Sequence, residues 1–201
     1  MEESLNFLYT GDLRGNLEKL PRLYTFIKSL RGRMDGRTIL LDLGGACDAS
    51  VWHCEITGGR SMIVALDGMG CAVANVSGYL STDARAKLGD NLAIALVDEQ
   101  HTHVVDDLIF TIKQPPTVDW DRLAVRLIPT EKTWLENRVL SLVRVNAGQV
   151  GRVSLERADG VWGITTYSIH DLPAVTPPDP TIAGAVEFIT AEARYAQKKQ
   201  G

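Results

Sequence analysis

No apolar run in this sequence approaches the roughly 18 residues that a membrane span requires. The start, MEESLNF, is acidic and lacks the basic-then-apolar layout of a secretory leader. A basic surplus is missing too. Lys and Arg number 21 against 25 Asp and Glu, and the net charge of -4 gives neither a nucleic-acid surface nor one for anionic membranes. Cysteine is scarce: Cys47, Cys54 and Cys71 cannot complete a disulfide framework, so reduced thiols and a cytoplasmic location are the expectation. No GxGxxG follows the first apolar run, and no nucleophile-elbow pattern surrounds Ser154 or Ser168. Those absences exclude the dinucleotide fingerprint and the common serine-hydrolase layout. There is no internal repeat, and low complexity is confined to the tail QKKQG.

What is present suits one globular domain over 1–201, with 45% hydrophobic and 23% charged residues. Phe7 to Tyr9 reads as a buried strand that Gly11 ends. Asp12 then falls at the strand's carboxyl end, where open α/β sheets hold ligands. Leu20, Leu23, Ile27 and Leu30 form the stripe of an amphipathic helix, with Pro21 in its first turn. TILLDLGGAC is a continuous apolar run, as in a strand covered on both faces. Met62, Leu66 and Met69 repeat the helical spacing and Gly70 stops it. CAVANV is another strand, STDARAKL a short helix capped by Ser81 or Thr82, and NLAIALV a further strand. This alternation predicts parallel βαβ units.

The second half reads as short β-branched runs separated by Pro, Gly and Asn, which predicts antiparallel strands. Asp159-Gly160 is a hairpin signal. A final helix begins at Pro180 with Asp179 as its cap and buries Ile182, Val186, Ile189 and Ala193.

Three stretches, FLYTGDLRGNLEKLPRLYTFIKSLR, TILLDLGGACDAS and GGRSMIVALDGMGCAVANVSGYLST, resemble the opening of calcineurin-like metallophosphoesterases, the 5'-nucleotidase catalytic domain in particular. RVLSLVRVNAGQVGRVSLERADGVWGITTYSIHDL resembles the family's closing strands, so the likeness covers Leu5 to Ser81 and Arg138 to Phe188. It implies a trimmed four-layer α/β/β/α sandwich. In that family the first strand ends in Asp-x-His, the second in Gly-Asp, and the third leads into Gly-Asn-His-Glu. Here Asp12 is kept, but Arg14, Gly45, Ser77 and Gly78 stand where a histidine, the bridging aspartate, an asparagine and the acid histidine would be. A guanidinium cannot coordinate a metal and glycine has no donor atom. The family's two-metal clamp on phosphate therefore lacks most of its ligands. His101 and His103, in HTH after a strand, match a remnant of the family's Gly-His-x-His. With Asp12 they would make at most a single-metal site.

Arg14 with Asn16 offers an anion or phosphate site in place of the metal; the plain alternative is an Asp12–Arg14 ion pair. Cys47, His53 and Cys54 share one loop but fit no common zinc spacing. Trp52 either caps the ancestral pocket or packs in the core. His170 reads as a surface residue, and QPPTVDWD as a recognition segment or a rigid linker.

The leading expectation is a non-catalytic protein that keeps the scaffold and binds a ligand, such as a phosphate-containing small molecule, or a protein partner. No resident cofactor is expected; any would be a divalent metal, Mn, Zn or Fe. One alternative is a metal-dependent phosphohydrolase using Asp12, His101 and His103 with Asp42 or Asp48 as substitutes. Another is a structural partner of an active phosphoesterase.

Overall fold

In the computed structural model, which describes residues 3–88, 92–113 and 122–200, the apolar runs form two stacked sheets. β1 (Glu3–Thr10), β2 (Arg37–Asp42), β3 (Val73–Asn75) and β4 (Ala95–Val97) lie side by side and parallel. The connections carry α1 (Leu20–Arg31), α2 (Trp52–Thr57), α3 (Arg60–Gly68) and α4 (Thr82–Leu88). The βαβ expectation therefore holds. Ser81 caps α4 by accepting from the Ala84 N–H at 3.1 Å. α2 lies within a stretch whose sequence reads as a loop.

The second sheet contains β5 (His103–Val105), β6 (Leu108–Thr111), β7 (Leu123–Thr130), β8 (Trp134–Glu136) and β9 (Val139–Val143). β10 (Gln149–Ala158) and β11 (Val161–Asp171) return to the first sheet as a hairpin. The hairpin turn is Asp159-Gly160, with φ of 51° and 79°, the double left-handed conformation of a two-residue loop. The first sheet has the order β11-β10-β1-β2-β3-β4 and the second β5-β6-β7-β9-β8. The second half is not antiparallel throughout. β6–β7 and β7–β9 pair parallel, because the chain crosses over between them rather than turning back by a hairpin. QPPTVDWD lies outside the described residues.

Alternation on β1 builds the core on both faces. Leu8 points toward the helices, among Leu20, Leu23, Ile27, Met62 and Leu66. Phe7 and Tyr9 point toward the second sheet, where Phe7 meets Phe110 edge-on at a ring separation of 6.5 Å. The Tyr9 ring lies across β10 at Gly151, where any Cβ would collide with it. α5 (Pro180–Gln200) starts at Asp179, which accepts from the N–H groups of Thr181 and Ile182. Lys28 of α1 donates to the same carboxylate at 2.6 Å and holds it below the usual carboxylate range. All five helices bury their apolar residues against the first sheet. Among the described residues no helix covers the outer face of the second.

Candidate functional site

Gly11 ends β1, and the chain then runs alongside the loop after β2 in the same direction, continuing the parallel pairing of the two strands. The N–H groups of Asp12, Arg14 and Gly15 donate to the carbonyls of Gly44, Gly45 and Ala46 at 2.8, 2.9 and 2.7 Å. Asp12 and Arg14 both adopt left-handed backbone, φ 53° and 51°, a conformation disfavoured for residues with a Cβ. Backbone outliers of this kind cluster at functional sites. Arg14 Nε and Nη2 donate to the two carboxylate oxygens of Asp12 at 2.8 and 3.1 Å. That fork raises the arginine further above its ordinary range.

Next to Asp12 lies a pocket of about 220 Å³ at the carboxyl ends of the parallel strands. Gly11, Asp12, Gly44, Gly45 and Asn75 line one side, and Ile128, Pro129 and Arg144 the other. Arg144 is exposed, and no hydrogen bond or ion pair engages its guanidinium among the described residues. Asn75 is buried and fixed: Nδ2 donates to the carbonyls of Leu43 and Leu127 at 3.1 and 3.0 Å, and Oδ1 accepts from the Ser77 N–H at 3.0 Å. Asn75 thus joins the two sheets at the pocket floor. Neither Asn75 nor Arg144 stands out in the sequence. Arg144 had one signal: it continues the inward phase of Leu140 and Leu142.

Asp42 lies behind this pocket and does not line it. It is fully buried, accepting from the Thr10 hydroxyl at 2.8 Å and the Gly44 N–H at 3.0 Å. Burial pushes its carboxyl up to about 7, against the opposing pull of those two donors. Asp48 is held by Ser50, whose N–H and hydroxyl donate to Oδ1 at 2.9 and 2.7 Å.

A second recess of about 410 Å³ begins on the other side of the ion pair, lined by Arg14, Asn16, Trp52, His53, Thr190 and Arg194 among others. The Asn16 side chain caps the turn at Leu17–Lys19 by accepting from the Lys19 N–H. Trp52 lines this recess, not the pocket beside Asp12. His53 is a satisfied core residue. Its Nε2 donates to the Gly15 carbonyl and its Nδ1 accepts from the Ser61 hydroxyl, both at 2.8 Å.

The expectation of three reduced thiols is overturned. Cys47 and Cys54 form a disulfide with Cα atoms 5.7 Å apart, and Cys71 remains free and buried. The Asp48–Ser50 turn folds the loop back, the Val51 N–H donating to the Asp48 carbonyl, and brings α2 onto Cys47. The odd count concealed one pair and one core thiol, and neither paired sulfur is free to ligate a metal.

His101 and His103 lie apart from this region in their contacts. His101 Nδ1 pairs with Asp98 at 2.8 Å, and Asp98 also accepts from Arg85 at 2.6 Å. The His103 ring stacks on Phe110. His170 bonds the Ser168 hydroxyl and meets Phe26 edge-on. Among the described residues no three His, Cys, Asp or Glu side chains gather as a metal-ligating group, so Asp12, His101 and His103 are not brought together. Ser77 has a buried hydroxyl with no hydrogen-bond partner among the described residues. The donor set does not fit a dinuclear metal centre.

No family profile and no curated protein matches this sequence. No helix among the described residues is long and apolar enough to cross a membrane. The structure is similar to the calcineurin-like phosphoesterase YfkN from Bacillus subtilis. The TM-score is 0.64 over 98% of this chain and 100% of that one, at 11% identity. The two stacked sheets, with helices over the first and a strand-end pocket at Asp12, therefore have the calcineurin-like phosphoesterase fold.

Proposed function

We propose that this chain is a non-catalytic ligand-binding version of that fold, and that it holds a phosphate-containing small molecule beside Asp12 by charge instead of through metal ions. The observation that carries the reading is the two-point grip of Arg14 on Asp12. The one family carboxylate retained at this loop is saturated by a guanidinium from two residues away. Gly45, whose Cβ would stand 3.3 Å from Asp12 Oδ1, contributes no second carboxylate. Arg144 lines the pocket with its guanidinium unengaged among the described residues, and the Arg14 fork cancels the charge of Asp12, so the pocket keeps one uncompensated cation, a setting suited to phosphate oxygens. Asn16, engaged as a cap, supports the loop that carries Arg14.

Calorimetric titration of inorganic phosphate and of a nucleoside monophosphate tests this. Saturable binding, lost in Arg144→Ala and weakened in Arg14→Ala, is expected, with no turnover of bis(p-nitrophenyl) phosphate in Mn²⁺. Metal-dependent turnover that disappears in Asp12→Asn or His101→Ala would overturn the reading in favour of a metal-dependent phosphohydrolase. Absence of phosphate binding, with an active phosphoesterase co-purifying, would replace it with the structural-partner role.

A further inference from the structure

The four sheet edges of this fold are unequal. β4, β5 and β8 are three residues each, and β4 runs directly into Asp98 and Glu99. Short, charged edges are how sheets avoid pairing with other chains. β11 is eleven residues long and ends the first sheet. From Val161 to His170 it contains no Asp, Glu, Lys, Arg or Pro. The devices that protect an edge are present on three edges and missing from the fourth.

The backbone phase of that edge is defined. The Leu172 N–H donates to the Gly148 carbonyl, and the register Gln149↔Asp171 through Val153↔Tyr167 continues from it. Antiparallel alternation then turns the N–H and C=O groups of Tyr167, Ile169 and Asp171 away from β10. A bulge at Ser154/Leu155 resets the side-chain phase. Tyr167 and Ile169 consequently stand beside Val153 and Gly151 on the face that carries the inter-sheet core, yet they are 58% and 42% exposed. The core therefore runs out to the edge and stops uncovered.

We infer that a second copy of this chain pairs with β11 antiparallel, about a two-fold axis at Ser168, joining two six-stranded sheets into one. The strand is its own complement in this register. Tyr167 of one copy falls opposite Ile169 of the other in a doubly hydrogen-bonded pair, and the reverse pair repeats it. An aromatic side chain opposite a β-branched one is a favourable cross-strand combination. Asp171, the strand's single carboxylate, meets Thr165 and not its own counterpart, so no like charges face each other. The four apolar side chains together extend the inter-sheet core across the axis. A symmetric, isologous contact of this kind closes on itself as a dimer.

Sedimentation equilibrium, cysteine cross-linking and a double lysine variant test the inference together. The parent protein is expected at twice the 22.0 kDa of one chain. Tyr167→Lys with Ile169→Lys is expected at the single-chain mass with an unchanged circular dichroism spectrum. In the paired strands Ser168 faces itself as a non-hydrogen-bonded pair, about 4.5 Å between Cα atoms, which a disulfide can span. Ser168→Cys should therefore cross-link nearly completely on mild oxidation, whereas Val175→Cys, 91% exposed but off the strand, should not. A parent protein of single-chain mass at high micromolar concentration overturns the inference. So does a dimer that survives both lysines, or Ser168→Cys cross-linking no greater than that of Val175→Cys. The cross-linking arm decides the matter even if the lysine variant does not fold.

Discussion

Arg14 closes onto both carboxylate oxygens of Asp12, at 2.8 and 3.1 Å, from a position only two residues along the chain. The pair separates two recesses: Asp12 lines the strand-end pocket and Arg14 lines the groove under α5. Both residues hold left-handed backbone. The loop is kept in that shape by its ladder to Gly44, Gly45 and Ala46, which does not depend on the side chains.

Arg14→Gly should accordingly leave the thermal midpoint within a few degrees of the parent. Glycine relieves the φ of 51°, and the exposed ion pair it removes is screened by solvent. Phosphate affinity should fall. A large drop in midpoint, read by differential scanning fluorimetry, would show that the ion pair is structural and not part of a binding site.

Asp42 makes stability depend on pH. Its carboxyl titrates near 7 when folded, above the ordinary 3.8, so between those values the folded state binds more protons than the unfolded one. Stability contributed by this group is therefore full below pH 3.8 and declines as pH rises through about 7, by an amount on the order of 4 kcal/mol. Asp42→Asn keeps an acceptor for the Gly44 N–H and cannot ionise. It should flatten the midpoint between pH 5 and about 8, where the parent declines; parallel profiles for the two proteins would refute this.

Reducing Cys47–Cys54 reopens a loop with a sequence separation of 7. Chain entropy assigns such a closure roughly 2–3 kcal/mol, a midpoint shift of roughly 5–10 °C for a protein of this size. Cys47→Ser with Cys54→Ser should reproduce the shift and make the protein insensitive to reductant. A free-thiol titration of the denatured, unreduced protein should find one cysteine. Three would mean that the pair is not formed.

Gly151→Ala places a methyl group against the Tyr9 ring, which has no room to retreat because Tyr9 is fully buried between the sheets. Overpacking of this kind costs roughly 1–3 kcal/mol or more. Adding Tyr9→Leu should recover part of the loss. Chemical denaturation of the two single variants and the double variant would show non-additivity if the ring and the methyl meet.

The architecture was legible because periodicity reports burial, and burial is what stacks the layers. The stripe Leu20, Leu23, Ile27 and Leu30 is buried in α1, and Asp179 caps α5 as its spacing implies. Asp159-Gly160 turns the β10–β11 hairpin for the conformational reason that makes the pair a turn signal. At the site, Asp12 could be placed at the end of β1, because the apolar run and the glycine that ends it are local to the chain.

The rest depended on distances that no local pattern encodes. Asn75 and Arg144 come from different sheets, and only the stacking of those sheets puts them in one pocket. The Cys47–Cys54 bond depends on a turn at Asp48–Ser50 that a count of cysteines cannot show. Parallel pairing of β6, β7 and β9 was hidden because strand propensity specifies a pleated, half-buried surface and not the direction of its neighbour. By itself, then, the sequence determined the layers and the caps, which are set within a few residues by hydrophobic period and side-chain chemistry. The tertiary structure alone decided which residues share the pocket, which sulfurs meet and which edge is left open, because each of those depends on the packing of segments far apart in the chain.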